Sequence, residues 1–265
     1  MEKGISFYFG YYDEECPEKY AKLISAAGFD CIITNADPRF SAKNGTIDEQ
    51  IELFKKYNLK PSTLHNQYTS SDLPDFWKDT ALGNKLEETL KQDILIAKKY
   101  HFKCVVVHML GSYSKIGEER LLRILDFCEL NKIPIAIENI DHNEVFFEIF
   151  KRINHSYLKF CYDSGHNNCF SPDYDFLENF KDKLICMHLH DNMGQSDEHT
   201  LNRFGNINWD RIARTLATIN TENISLDYEM IMHTKNGTSM EECVTETYKQ
   251  AVELENLIEK YKKEC

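Results

Sequence analysis

Eight short β-rich runs alternate with helix-period segments along the chain, and this alternation constrains the fold more than any other feature. Between the runs, apolar residues recur every three or four positions, as in Leu86, Leu90, Ile94 and Ala97, which predicts amphipathic helices. Eight strands, each followed by a helix, in 265 residues predict an α/β fold, a closed parallel (β/α)8 barrel. The predicted strands are 6–11, 31–35, 61–65, 104–108, 134–139, 158–163, 184–188 and 224–229.

The competing architecture is an open, doubly wound sheet, which requires a glycine-rich phosphate-binding turn after its first strand. At that point the chain reads Phe9-Gly10-Tyr11-Tyr12-Asp13, which is not such a turn. No internal repeat, low-complexity tract or Pro/Gly-rich linker divides the sequence. We therefore predict a single barrel domain spanning residues 1–265.

Composition and charge narrow the class of protein. Hydrophobic residues make up 42% and aromatic residues 12%, which is enough for a sizeable core, and no apolar run reaches the length of a membrane helix. The net charge of −12 disfavours a nucleic-acid partner. The N-terminal residues lack the apolar core of a signal peptide, and the nine cysteines form no C-x-x-C pair. These features predict a cytoplasmic protein with reduced thiols, without a membrane segment.

Histidines and carboxylates recur at the predicted strand ends. In a barrel of this type the carboxyl ends of all strands meet at the one face where active sites form. Side-chain alternation places Glu138 on the same side as Ala136, and Asp163 on the same side as Cys161. The strand-end residues, with His166 three positions after its strand, are His65, His108, Glu138, Asp163, His166, His188 and Glu229.

This pattern predicts a metal site. Carboxylates that lie side by side out of water are costly unless a cation neutralises them. Asp197 and His199, two residues apart in the long segment after the seventh strand, could both point toward the same face. Mixed imidazole and carboxylate donors suit a transition metal rather than calcium. We expect a divalent metal, zinc or manganese, with cobalt, iron and magnesium as alternatives.

In these residues the sequence resembles the xylose-isomerase-like TIM-barrel superfamily. That superfamily includes sugar phosphate isomerases and epimerases and the endonuclease IV family of abasic-site nucleases. The resemblance covers essentially the whole chain. Its most specific segments are Val105-Val-Val-His108, Ile137-Glu138-Asn139, Tyr162-Asp163-Ser-Gly-His166, His188-Leu-His-Asp191, and Asp197-Glu-His199 running on to Gly205-Asn-Ile-Asn-Trp209.

The resemblance to the epimerases implies one metal, held by Glu138, Asp163, His188 and Glu229. It also implies that the two glutamates are the catalytic acid and base, and that His166 contacts substrate oxygens. One departure from the epimerase pattern leaves the identity of the sugar substrate undetermined. Some ketose epimerases have an arginine six residues after the metal-binding histidine, and this chain has Gly194.

The resemblance to endonuclease IV implies a different site, with two or three zinc ions and a phosphoesterase activity. Relatives usually read His-x-x-Pro-Gly-x-Gly in this loop, whereas this chain reads His199-Thr-Leu-Asn202-Arg203-Phe-Gly205. The change adds a cation, Arg203, which is a further candidate for substrate binding. Support for a basic DNA-binding loop is also weak, because the best candidate, residues 37–43, contains few basic residues. The nine implied ligands are His65, His108, Glu138, Asp163, His166, His188, Asp197, His199 and Glu229.

The leading hypothesis is therefore a metal-dependent isomerase or epimerase acting on a small-molecule carbohydrate or a sugar derivative. The alternatives are a zinc phosphoesterase of endonuclease IV type and a non-catalytic sugar-binding barrel. Members of the superfamily often dimerise, so the resemblance is compatible with a homo-oligomer of this chain.

Overall fold

The computed structural model describes residues 1–7, 17–37, 44–230 and 238–264. Within them the chain alternates between strand and helix in the predicted order. The strands are β1 (Lys3–Ser6), β2 (Cys31–Asn35), β3 (Lys60–His65), β4 (Cys104–Val107), β5 (Ile135–Glu138), β6 (Leu158–Asp163), β7 (Leu184–His188) and β8 (Leu226–Tyr228).

The strands form one parallel sheet in the order β7-β6-β5-β4-β3-β2-β1-β8. Directly after β7, Leu189 makes a parallel bridge to Tyr228 of β8, with its amide donating to the Asp227 carbonyl at 2.8 Å. This bridge closes the sheet on itself. The predicted (β/α)8 TIM barrel is confirmed.

Helices surround the barrel and bury the predicted apolar stripes. In α3 (Ala81–Tyr100), for example, Leu90, Ile94 and Ala97 face the core as their spacing predicts. After β6 the structure has two short helices, α6 (Ser164–Phe170) and α7 (Phe176–Phe180). The helices of the described residues are α1 (Pro17–Ala27), α2 (Ile47–Lys56), α3 (Ala81–Tyr100), α4 (Lys115–Asn131), α5 (Glu144–Arg152), α6 (Ser164–Phe170), α7 (Phe176–Phe180), α8 (Trp209–Ala217) and α9 (Met240–Lys262). None of them is long and apolar enough to cross a membrane.

The first strand lies earlier in the chain than the sequence pattern predicts. Within the described residues it spans Lys3–Ser6, and its register is set by its neighbours: Gly4 pairs with Asp227 on one side and Cys31 on the other. A Cβ on Gly4 would lie 2.1 Å from the Asp227 carboxylate, so glycine makes room for that buried side chain. The predicted residues 8–11 and most of the loop 37–43 lie outside the described residues.

The barrel interior below the carboxyl ends of the strands is filled by small side chains. Cys104, Val106, Ala136, Cys161 and Cys186 form an inner cluster separate from the core between strands and helices. The cysteines of the described segments are free thiols, as predicted. Small residues at these positions leave space for the larger histidines and carboxylates in the layer above.

Candidate metal centre

Four side chains meet at the carboxyl ends of β5 to β8. Glu138, Asp163 and His188 each end their strand, and Glu229 directly follows β8. Asp163 stands opposite His188 in the β6–β7 register. One donor atom from each of the four lies within 4.8 Å of the others, and Glu229, the most exposed of them, is only 4% exposed. We call these four residues the central cluster.

The arrangement of the central cluster favours a bound cation over hydrogen bonds among its own side chains. Nδ1 of His188 lies 3.1 Å from Oε2 of Glu138 and 3.6 Å from Oε2 of Glu229. Among the described residues, Nε2 of His188 has no hydrogen-bond partner, and Nδ1 has only these carboxylate contacts, which lack hydrogen-bond geometry. Buried polar atoms without partners are costly, so a donor set facing a common point indicates a ligand between them.

Electrostatic interactions within the cluster oppose the effect of burial and favour the charged forms of Glu138 and His188. Burial raises the pKa of Glu138, but the rings of His188 and His108 outweigh burial and hold that pKa well below its ordinary value. Burial lowers the pKa of His188, but the carboxylates of Glu229 and Glu138 raise it well above the usual range. Glu138 is therefore ionised and ready to act as a ligand at neutral pH.

Glu138 also belongs to a second group of donors. Its Oε2 lies 3.0 Å from Nε2 of His108, and that nitrogen is 3.3 Å from Nε2 of His65. His65 ends β3 and His108 directly follows β4, so both come from the neighbouring half of the barrel mouth. One carboxylate could therefore bridge two cations.

A third group of donors comes from the loop after β7. Nε2 of His199 lies 2.9 Å from Oδ2 of Asp197, and Nε2 of His190 lies 3.6 Å from the other oxygen of Asp197. The rings of His190 and His199 are stacked with their centroids 3.8 Å apart. Burial lowers the pKa of His199, but Asp197 raises it to about 9.

His166 links this third group to the central cluster. Its Nδ1 lies 3.1 Å from Oε1 of Glu138, and its Nε2 lies 3.3 Å from Oδ2 of Asp197. The structure therefore brings all nine residues of the sequence-based ligand set into one continuous network at the barrel mouth.

Two residues differ from expectation. Arg203 is tied to α9, where its guanidinium pairs with Glu242 at 2.9 Å and with Glu246 at 3.8 Å. His190 was absent from the predicted ligand set, although it is fully buried and its Nε2 lies 3.2 Å from the Asp163 carboxylate. Its position two residues after His188 is the signal in the sequence that could have identified it.

The loop that carries Asp197 and His199 is held by one buried carboxylate. Asp191 accepts a hydrogen bond from the indole Nε1 of Trp209 at 2.6 Å and from the amide of Ile207 at 3.1 Å. Gly205 packs directly on this carboxylate, since a Cβ there would lie 1.8 Å from its Oδ1. The Gly205-Asn-Ile-Asn-Trp209 segment therefore returns the loop to the barrel and positions the third group.

A groove with a mixed polar and apolar lining lies beside the second group of donors. It encloses a cavity of about 270 Å³ between the loop after β3 and helix α3, with Gln67, Thr69, Lys85 and Thr89 among its lining residues. Tyr68 also lines it, and its ring centroid lies 4.7 Å from that of His108. The groove therefore opens next to His108 of the second group of donors.

Asp93 anchors the loop that forms this groove, and it should make the stability of the fold depend on pH. It is fully buried on α3 and accepts hydrogen bonds from Asn66 and from the amide and side chain of Gln67. Burial raises its pKa to about 6. The folded chain thus keeps a proton that the unfolded chain releases near pH 4, so this contribution to stability is present below about pH 4 and is lost as the pH rises toward 6.

The expected loss in the free energy of unfolding over that range is on the order of 3 kcal/mol. Urea unfolding of the wild type and of Asp93→Asn at several pH values checks it, because the variant should lack this part of the pH dependence. Asp126→Asn, which removes an exposed carboxylate of α4, is the matched control. Parallel pH profiles for wild type and Asp93→Asn would show that Asp93 does not titrate as described.

The fold and site together define a parallel (β/α)8 barrel with a ring of histidines and carboxylates at its carboxyl-terminal face. The chain belongs to the xylose isomerase-like TIM barrel family, whose model matches residues 21–253. The resemblance seen in the sequence is thereby confirmed.

Two curated relatives are similar to the chain over part of its length. An uncharacterized protein of Sinorhizobium fredii is 32% identical over 152 residues, which cover 50% of this chain and 49% of the relative. An uncharacterized protein of Methanocaldococcus jannaschii is 30% identical over 188 residues, which cover 65% of this chain and 72% of that protein. The chain therefore aligns with only about half the length of the rhizobial relative.

Solved structures share the fold over nearly the full length. A D-tagatose 3-epimerase-like protein has a TM-score of 0.78 at 22% identity, with 98% of this chain and 99% of that chain covered. The D-psicose 3-epimerase of Clostridium cellulolyticum H10, solved with D-tagatose, has a TM-score of 0.70 at 14% identity, with 99% of each chain covered. The IOLI protein, solved with a bound zinc atom, has a TM-score of 0.68 at 18% identity, with 98% of this chain and 99% of that chain covered.

Proposed function

We propose that this protein is a metal-dependent isomerase or epimerase acting on a small carbohydrate or sugar derivative. The observation that carries the proposal is the pair of buried glutamates, Glu138 and Glu229, within one group of potential ligand atoms. Nδ1 of His188 lies between them, 3.1 Å and 3.6 Å from their Oε2 atoms. The epimerases among the structural neighbours support the same class of reaction.

The two glutamates are suited to proton transfer at a carbon atom next to a carbonyl. They come from β5 and from the end of β8, so a substrate bound between them would present opposite faces to the two carboxylates. One carboxylate removes the proton and the other returns it from the other side, which inverts the carbon. A divalent cation held by the central cluster would polarise the substrate oxygens and favour loss of that proton.

Neighbouring residues would bind and orient the substrate. His166 lies between Glu138 and Asp197, with 3.1 Å and 3.3 Å to their oxygens, and a sugar hydroxyl that displaced Asp197 would hydrogen-bond its Nε2. The groove lined by Tyr68, Thr69 and Lys85 offers the mixture of aromatic and polar surface that carbohydrates use. Burial of the central cluster keeps bulk water away from the reacting carbon.

The test combines metal content with proton exchange. Purified protein would be analysed for bound metals, and the metal-loaded protein would be incubated in D2O with a panel of ketoses and their derivatives. Incorporation of deuterium next to the carbonyl of one of them, lost on chelation and restored by metal, supports the proposal. Absence of exchange into every ketose while a phosphodiester is hydrolysed would replace it with the second candidate.

The second candidate is a phosphoesterase with two or three metal ions. It is favoured by the two further groups of donors, His65/His108/Glu138 and His190/Asp197/His199, which adjoin the central cluster. Clustered cations suit phosphoryl transfer because they stabilise both the attacking and the leaving oxygen. Against a DNA substrate stands the net charge of −12. Three zinc ions per chain together with cleavage of an abasic-site duplex would favour this candidate.

A further inference from the structure

A buried thiol lies beside the ligands of the central cluster. Cys161 stands between Glu138 and Cys186 in the sheet, because it pairs with Glu138 of β5 on one side and with Cys186 of β7 on the other. One donor atom each from Glu138, Cys161 and His188 lies within 4.8 Å of the others. All three side chains are at most 1% exposed.

The imidazole of His188 contacts the Glu138 carboxylate but lacks the second partner that a metal-binding histidine usually has. Such a ring normally donates its second N–H to a carboxylate, a carbonyl or a water molecule. His188 is fully buried, and its Nδ1 has only the carboxylate contacts of the central cluster. The ring therefore has a nitrogen, Nε2, with no partner among the described residues, and it can serve one cation at a time.

More sulfur lies deeper in the barrel. Sγ of Cys186 is 3.6 Å from Sγ of Cys104, and both belong with Cys161 to the inner cluster of small residues. Sulfur atoms, which are soft metal ligands, thus lie in the barrel layer below the carboxylates, which are hard metal ligands. Sulfur ligands favour thiophilic ions, whereas carboxylates favour magnesium and manganese.

We propose that Cys161, together with Glu138 and His188, forms a second metal position below the central cluster that takes thiophilic divalent cations such as cobalt(II) or cadmium. The inference rests on the proposed function, since it assumes that the central cluster binds metal. Binding forms a metal–sulfur bond and releases the thiol proton to solvent. The carboxylate and the thiolate together then balance the charge of one divalent ion.

The two positions exclude each other because they share Glu138 and His188. A hard cation occupies the upper position, among three carboxylates and one imidazole. A thiophilic cation in the lower position withdraws both shared ligands from that set. Cadmium should therefore compete with manganese for the protein and suppress the manganese-supported reaction.

Cobalt(II) titration of the metal-free protein tests this assignment through a readout independent of activity. A sulfur-to-cobalt charge-transfer band in the near ultraviolet should accompany binding to the wild type. Cys161→Ala should still bind cobalt through the central cluster but lose the band. Its affinity for cadmium should fall by at least roughly tenfold, while its affinity for manganese is unchanged.

Cys128→Ala is the matched control, because it removes another fully buried thiol, on the core-facing side of α4 and outside the groups of donors. It should keep the band and the cadmium affinity. Cobalt bound without the band in wild type, or a band that persists in Cys161→Ala, would overturn the inference and leave the proposed function intact. A wild-type protein that binds no divalent cation would overturn both.

Discussion

Glu138→Gln is expected to lower the rate of deuterium exchange into a substrate ketose by about 10²–10⁴-fold, the range for loss of a general acid or base. Glutamine keeps the shape of the side chain but cannot accept the proton. Glu138 also belongs to the central cluster and contacts His108, so the substitution should weaken metal binding as well. The exchange rate should therefore be measured at saturating metal, with bound metal determined by equilibrium dialysis.

Two further variants make this result specific. Glu229→Gln should show a loss of similar size, because the reaction needs one carboxylate on each face of the carbon. Glu144→Gln, which changes an exposed carboxylate at the start of α5, should exchange at the wild-type rate. A metal-loaded Glu138→Gln protein with wild-type exchange would show that Glu138 is not the acid or base.

Removal of the metal is expected to lower the melting temperature by roughly 5–10 °C, which corresponds to about 3 kcal/mol for an ion present at a hundred times its dissociation constant. The physical reason is the burial of Glu138, Asp163 and Glu229 within one cluster. Without a cation, their mutual repulsion and desolvation act against the folded state. Scanning calorimetry of chelator-treated and metal-restored protein measures the effect.

The same experiment on Glu138→Gln provides the control. With one charge fewer in the cluster, the variant binds metal more weakly and suffers less repulsion without it. Its melting temperature should therefore respond less to chelation than that of the wild type. Equal melting temperatures for metal-free and metal-loaded wild type would show that no ion is bound to the folded cluster.

Much of the site could be predicted because it follows from strand alternation. Once Glu138, Asp163 and His188 are placed at strand ends, a parallel barrel brings them to one face regardless of the details of packing. The same argument holds for His65 and His108, which come from β3 and from the end of β4. Sequence spacing within each strand carries this information by itself.

Other features depended on contacts between distant segments. The register of β1 is set by Asp227 packing against Gly4, more than two hundred residues away. Arg203 pairs with Glu242 on α9, a partner that its loop sequence does not reveal. His190 joins Asp197 only because Asp191 and Gly205 fold the loop back onto the barrel.

The sequence by itself determined the alternation of strands and helices, the barrel and the strand-end residues, because periodicity and composition are local properties of the chain. Only the tertiary structure decided which donors share a ligand position. It joined the nine predicted residues through His166, added His190, and placed Cys161 beside Glu138 and His188. The reason is that donor grouping depends on distances of a few ångströms between side chains on different strands, and those distances are set by sheet register and loop packing.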